Sequence, residues 1–414
     1  MQTIIIKHMV SGTVNYLFFP IGKWYDIVRD YYNSRMDKMQ KLQYFALIFT
    51  LLLSGCSLKE VNASTHKVDM PAANSKVTMK MSKVSPQIKK IPVFEPQATI
   101  AISPIAFDST HAVLSTVGRK NDVSKINYHI WCTADGKKGI KMFTATQKEN
   151  DFPFLFDIKE FSGSRGEYQI EAYEVTEDGS QILLAKSTLT FQQRVPILMY
   201  HAIDEYKGVG LKDLFVTPAN FEAQMSYLKD KDYTLLTFER WDEVNKVNKP
   251  ILVTFDDGMK NNLNAFRILQ ELKDDQFQPT ATEYVIAGSI DSSPSRLSTE
   301  DIKEMVNSGI FSIQSHTMSH ADLPEITNYE QELNAAKEKI EQITGKPVIA
   351  IAYPFGHFND QVVEETKKYY KFATTTKPGQ FIEKGETDEF MRMRRVRISN
   401  STTINQFAAM VEPR

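Results

Sequence analysis

The stretch KPILVTFDDGMKNN, Lys249 to Asn262, sets two carboxylates, Asp256 and Asp257, side by side at the end of an apolar run. Adjacent carboxylates repel, and an Asp-Asp-Gly tripeptide alone reads as a plain turn. The apolar residues before it read as a strand. Similar runs lie on either side: VPILMYH before it, then ATEYVIAG, FSIQSHT and VIAIAYPFG. Segments with helical spacing separate them, among them TPANFEAQMSYLKDKD and NYEQELNAAKEKIEQITG, with Thr217 and Asn328 as amino-terminal caps. Strand and helix alternating from Val195 onward predict a parallel barrel or an open α/β sheet. Chemistry in such folds gathers at the carboxyl ends of strands, where the polar residues of this chain fall.

The carboxyl-proximal half holds His201, His316, His320 and His357. In SIQSHTMSHADL, His316 and His320 stand four apart, so on one helical turn, or in a loop leaving a strand, both imidazoles can face one point. Two His and one carboxylate suit Zn²⁺ or a similar divalent ion and leave positions open for water. An H-x-x-x-H pair by itself is as common on a surface helix, so the Asp pair carries weight. With Asp257 as third ligand, Asp256 is free to take a proton from water whose pKa the cation lowers towards ~7. The two carboxylates then divide labour, one as ligand and one as base.

Three motifs occur in order: Thr254-Phe255-Asp256-Asp257-Gly258, His316-Thr317-Met318-Ser319-His320 and Tyr353-Pro354-Phe355-Gly356. Together they resemble the polysaccharide deacetylases of carbohydrate esterase family four, and LSTEDIKEMVNSGIFSIQSHT is similar to that family's approach to its histidine motif. The resemblance implies a distorted (β/α) barrel and a divalent metal, expected to be Zn²⁺, held by Asp257, His316 and His320. It also implies Asp256 as base, with Tyr353, Pro354 and Phe355 at the oxyanion and substrate. The implied reaction is removal of N-acetyl groups from an N-acetylglucosamine polysaccharide of the wall or exterior.

The chain departs from the common pattern in three places. Ala352 stands where the third motif usually carries Arg, no Asp-x-x-Asp-Trp element follows, and no Leu-x-His occurs near the carboxyl terminus. The domain opens instead with RVPILMYHAI, similar to the permuted branch that includes deacetylases of exported poly-N-acetylglucosamine. That likeness implies His201, on the first strand, as the acid. Arg395 in MRRVRIS is the candidate to orient Asp256, with Arg394 and Arg397 equally placed by sequence. His357 reads as a rim residue. An O-deacetylase of an acetylated glycan such as xylan would use the same site, and an inactive glycan-binding lipoprotein would keep the same barrel. An iron(II) oxygenase has no need of a second Asp beside the ligand.

At 414 residues the chain exceeds the roughly 100–200 of a usual domain, so two folded units are expected. Its formal net charge of −2, without a basic block interleaved with aromatics, argues against a nucleic-acid partner. The two cysteines, Cys56 and Cys132, are too few for a disulfide scaffold and lack zinc-ribbon spacing. Lys38 and Lys41 precede an apolar run, Leu42 to Leu53, that ends in Leu53-Ser54-Gly55-Cys56 and is short for a membrane span. It resembles a bacterial lipoprotein signal, with Cys56 lipidated; a short anchor with an incidental Cys is the alternative.

The expected organisation follows from these signals. Residues 1–35 form an upstream extension outside the fold, with translation starting at Met36 or Met39, and 36–55 form the signal peptide. A Ser, Lys, Asn and Pro-rich tether, 56–93, comes next. Residues 94–192 form a small all-β sandwich, with hairpin signals in GEYQIEAYEV and DGSQILLAKSTLTF around Asp178-Gly179. This part resembles the Bsp-like repeats found beside catalytic domains in streptococcal surface proteins, and reads as a spacer or wall-binding unit. Cys132, in a strand with Trp131, reads as structural. Residues 193–414 form the deacetylase domain. The protein is expected as a monomer, lipid-anchored at the extracellular face of the membrane.

Overall fold

The computed structural model describes residues 95–118, 125–148 and 151–412, and the backbone of two short strands near the start. Cys56, the signal and the tether lie outside the described residues. The chain divides into two compact units, 1–89 and 90–414. In the first, β1 (Thr3–Val10) and β2 (Thr13–Pro20) pair as an antiparallel hairpin.

The second unit begins with seven strands: β3 (Thr99–Ile102), β4 (His111–Val117), β5 (Lys125–Cys132), β6 (Lys141–Thr146), β7 (Phe154–Asp157), β8 (Gly166–Val175) and β9 (Gln181–Phe191). They form two antiparallel sheets, β3-β4-β7 and β6-β5-β8-β9. Alternation along β8 buries Tyr168, Ile170 and Ala172, which join Leu114, Tyr128 and Phe156 in one core. Glu171 departs from the expected polar face. It is only 4% exposed, because Lys186 Nζ at 2.8 Å, Lys137 Nζ at 3.2 Å and the Tyr173 hydroxyl at 2.9 Å close over its carboxylate. Cys132 is free and buried, and burial pushes its thiol pKa up.

Ten further strands follow: β10 (Ile197–Tyr200), β11 (Ala202–Ile203), β12 (Phe215–Val216), β13 (Thr234–Leu236), β14 (Pro250–Phe255), β15 (Ala281–Val285), β16 (Phe311–Ser315), β17 (Ala350–Ala352), β18 (Phe372–Pro378) and β19 (Met393–Arg397). Seven of them, in the order β10-β14-β15-β16-β17-β18-β19, close into a parallel ring. β13 adds beside the first half of β14. Every residue of β14 is buried, as expected of a parallel strand covered on both faces. The helices α1 (Pro218–Asp230), α2 (Leu263–Leu272), α3 (Thr299–Asn307), α4 (Ala335–Thr344), α5 (Asp360–Thr366) and α6 (Ile404–Val411) connect or follow these strands. Thr217 caps α1, Ser298 and Asp301 form a capping box on α3, and Asn328 accepts from Gln331 N–H ahead of α4.

Strand parity sorts the side chains. In β14, Ile251, Val253 and Phe255 pack outward against the helices, whereas Leu252 faces the inner cluster with Ile197, Tyr284, Ala350 and Met393. Period two then sends Thr254 and Asp256 inward too, toward the strand that carries Met393 and Arg395. The sandwich and barrel meet at Asn245, which accepts from the Gln193 N–H at 2.9 Å and donates to Gln192 Oε1 at 2.8 Å.

Candidate active site and metal centre

The inward end of β14 delivers Asp256 into the barrel, where the Arg395 guanidinium meets it with two parallel hydrogen bonds of 2.7 Å each. Both side chains are almost wholly buried. Arg395 is held in turn by the Thr375 carbonyl at 3.0 Å and Thr254 Oγ1 at 3.2 Å, and lies over the Tyr284 ring. Burial alone would raise the Asp256 pKa, but the charge and hydrogen bonds of Arg395 outweigh it and hold the carboxyl well below the usual carboxylate range. Asp256 is therefore ionised at neutral pH with one defined orientation. Arg394 and Arg397 are exposed on the same strand and do not reach it. Strand parity excludes Arg394, and of the two arginines left on the inward face Arg395 is the one level with Asp256, whereas Arg397 lies further along the strand at the cleft that holds the metal cluster.

The chain turns sharply after Asp256, with Asp257 at φ +80°. That reversal points the second carboxylate away from the first. Asp257 Oδ1 lies 3.5 Å from His316 Nε2 and 3.7 Å from His320 Nε2. One ligand atom from each of the three residues falls within 4.8 Å of the others, and this is the metal-capable cluster found among the described residues. His316 leaves β16 and donates Nδ1–H to the Ala352 carbonyl at 2.8 Å, which turns the Nε2 lone pair toward Asp257. The donor set is two imidazole nitrogens and one carboxylate oxygen with an open side, and it fits a divalent ion of the zinc type.

The histidines sit in a loop rather than on a helical turn. Thr317 and His320 both adopt positive φ, +67° and +61°, and Thr317 Oγ1 accepts the His320 N–H at 3.0 Å. Such backbone costs about 1–3 kcal/mol per residue and persists only where neighbours enforce it. The enforcing group is Glu332, which sequence reasoning did not single out. Its carboxylate accepts from Ser319 N–H at 2.9 Å, Ser319 Oγ at 2.6 Å and Met318 N–H at 3.1 Å. Outer partners of metal ligands are commonly worth 10–100-fold in affinity. Glu332→Ala should therefore weaken zinc binding by roughly that factor while the fold melts as one unit; unchanged affinity in competition with a chromophoric chelator would remove this role.

His201 follows β10 and places Nε2 4.0 Å from Asp256 Oδ2. Burial lowers its pKa from the usual value, with Asp256 and Asp257 opposing. It lines a cleft of about 330 Å³ with Asp256, Asp257, His316, His320 and Tyr353. Phe355, at φ +60° and 56% exposed, lies at the cleft mouth with its ring edge-on to His320 at 4.6 Å. Tyr353 and Pro354 are buried beneath it. The following Gly356 takes φ +77°, and a Cβ there would meet Thr376 Oγ1 at 2.1 Å, so only glycine fits this turn. His357 stays outside the cluster, exposed, with Nδ1 2.9 Å from Asp322 Oδ2.

Comparison with known proteins agrees with this geometry. The polysaccharide deacetylase family profile matches residues 243–371, and the GBS Bsp-like repeat profile matches residues 104–189. A Bacillus subtilis (strain 168) protein named "putative polysaccharide deacetylase" is 31% identical over 229 residues, covering 53% of this chain and 76% of its own. The chain belongs to the polysaccharide deacetylase family. The crystal structure of a polysaccharide deacetylase from Bacillus cereus is 63% identical, with a TM-score of 0.75, and spans 76% of this polysaccharide deacetylase and all of its own chain. A Staphylococcus aureus (strain MRSA252) poly-β-1,6-N-acetyl-D-glucosamine N-deacetylase is 25% identical over 178 residues, covering 38% of this deacetylase and 59% of its own length.

Proposed function

We propose that this deacetylase is a metal-dependent hydrolase that removes N-acetyl groups from N-acetylglucosamine units of a wall or extracellular polysaccharide. The observation that carries the reading is the division between the carboxylates. Asp256 is fixed on Arg395, and Asp257 is turned toward two histidines. A base set beside a metal ligand suits metal-assisted hydrolysis of an amide. The N-acetylglucosamine substrate is supported by the Staphylococcus relative and by the likeness of the RVPILMYH opening to the permuted branch.

Asp257, His316 and His320 would hold the ion, expected to be Zn²⁺, which supplies Lewis-acid activation of water and of the acetamide carbonyl. Asp256, ionised and oriented, accepts the proton of the attacking water. The new bond joins water oxygen to the acetyl carbon, and a backbone N–H near Phe355 would meet the developing oxyanion. His201 in its protonated form, which the Asp256 and Asp257 carboxylates favour against burial, then protonates the nitrogen as the C–N bond breaks, giving acetate and a glucosamine unit. An O-acetyl ester would need that proton far less. Acetate release from N-acetylated against O-acetylated oligosaccharides decides between the two, and preference for the ester would reject the N-deacetylase.

His201 is the residue by which the permuted-branch assignment stands. His201→Ala is expected to keep metal and thermal stability and to lose roughly 10²–10⁴-fold on N-acetylglucosamine oligomers, with a much smaller loss on an activated aryl acetate. Equal losses on both substrates would return the acid role to another group. Anchoring through Cys56 completes the proposal: the Lys38 to Cys56 signal would lipidate the chain and hold it at the outer membrane face. Cells fed a labelled fatty acid should label the wild type and not Cys56→Ser; label in both would refute the anchor.

A further inference from the structure

Along β18 and β19 the barrel surface changes character. The loop from β18 to β19 carries only a short 3-10 turn, Glu389–Met391, and it opens a cleft of about 520 Å³ lined by Arg194, Lys377, Lys384, Arg392 and Arg394, with Glu386 and Glu389 as its acids. A second cleft of about 380 Å³ shares Arg194, Gly379 and Gln380 with the first and adds Arg397. Arg397 also lines the cleft that holds the metal cluster. The three depressions are thus neighbours in series, the first two sharing Arg194 and the last two bordered by Arg397, and cations line each boundary.

The acids on this path do not neutralise it. Glu389 is occupied by the backbone N–H groups of Lys384 and Gly385, at 2.8 and 2.9 Å. Glu386 pairs with Lys384 at 3.5 Å, and Arg392 pairs with Asp360 at 2.9 Å. No carboxylate pairs with Arg194, Lys377, Arg394 or Arg397 among the described residues. Lys377 instead lies over the Phe358 ring, and Arg394 donates to the Pro378 carbonyl. The whole chain has a formal net charge of −2, so this concentration of unpaired cations is local. Contiguous like charge lining clefts focuses potential and raises the local concentration of an oppositely charged ligand.

We infer that this track binds an anionic stretch of the glycan strand, bearing carboxylate or phosphodiester groups, while an N-acetylated sugar of the same strand occupies the metal cleft. Repeated anions along a polymer match cations spread over neighbouring clefts, where a single small anion would engage only part of them. The inference rests on the reading of the site as a glycan deacetylase.

The test measures equilibrium binding of three probes to the full chain: a neutral N-acetylglucosamine hexamer, hyaluronan oligomers as the carboxylate arm, and poly(glycerol phosphate) as the phosphodiester arm. At about 50 mM salt at least one anionic probe should bind roughly tenfold or more tightly than the hexamer, and the preference should fade by about 500 mM as screening tightens. The triple variant Arg194→Ser, Lys377→Ser, Arg394→Ser should lose the preference while retaining its melting temperature and its acetate release from the neutral hexamer. Which arm binds identifies the anion. The inference is overturned if neither anionic probe outbinds the hexamer, or if the triple variant binds them as the wild type does. Absence of acetate release from every N-acetylated glycan would overturn the hydrolytic reading instead, and the binding comparison would still decide the track.

Discussion

Asp256→Asn should retain its metal and fold yet release acetate roughly 10²–10⁴-fold more slowly, the usual worth of a positioned base. The amide keeps the shape of the carboxylate and one acceptor for Arg395, but it cannot take a proton. Its structural effect should also be visible, because the substitution leaves a buried guanidinium without its counter-charge. Removing one partner of a buried pair commonly costs about 3–5 kcal/mol, and the retained amide oxygen should hold the loss to the lower end of that range. The complementary variant, Arg395→Met, removes the cation and leaves the carboxylate desolvated. Rate and melting temperature measured on both variants separate the two effects: a near-normal rate in Asp256→Asn would remove this residue from the mechanism.

Asp257→Ala, His316→Ala and His320→Ala should each abolish stoichiometric metal binding, since three protein ligands leave no spare donor. The three need not be equal. His316 is almost completely buried and anchored on Ala352, so its loss also leaves a cavity under the cleft. His320 lies nearer the surface, against Phe355, and its removal should leave the fold intact. Elemental analysis after dialysis gives the outcome, and full occupancy in all three variants would show the cluster to be assigned wrongly.

The barrel was legible in the sequence because buried parallel strands read as continuous apolar runs, and the site was legible because its residues fall in three short motifs at strand ends. The arginine was narrowed only to Arg394, Arg395 and Arg397. Choosing among them needs the register of β19 against its neighbours, which sets Met393 and Arg395 inward, and register is a tertiary fact. Glu332 was missed for a related reason. It lies fourteen residues past Met318 in a helical run of charged residues, where a glutamate reads as a solvated face. Only folding brings it under the histidine loop. The basic track was hidden by a net charge close to zero, since its members are scattered from Arg194 to Arg397 and meet only on the barrel wall. The loop conformation of the histidine pair, left open against a helical turn, is decided by the positive φ values at Thr317 and His320.

The most direct test of a metal-dependent N-deacetylase is acetate release from an N-acetylglucosamine hexamer by the full chain, stripped with a chelator and then titrated with Zn²⁺. The account predicts no release from the stripped protein and recovery that saturates near one equivalent of zinc, with no recovery in His320→Ala at that loading. Undiminished release by protein shown by elemental analysis to be free of metal would contradict it.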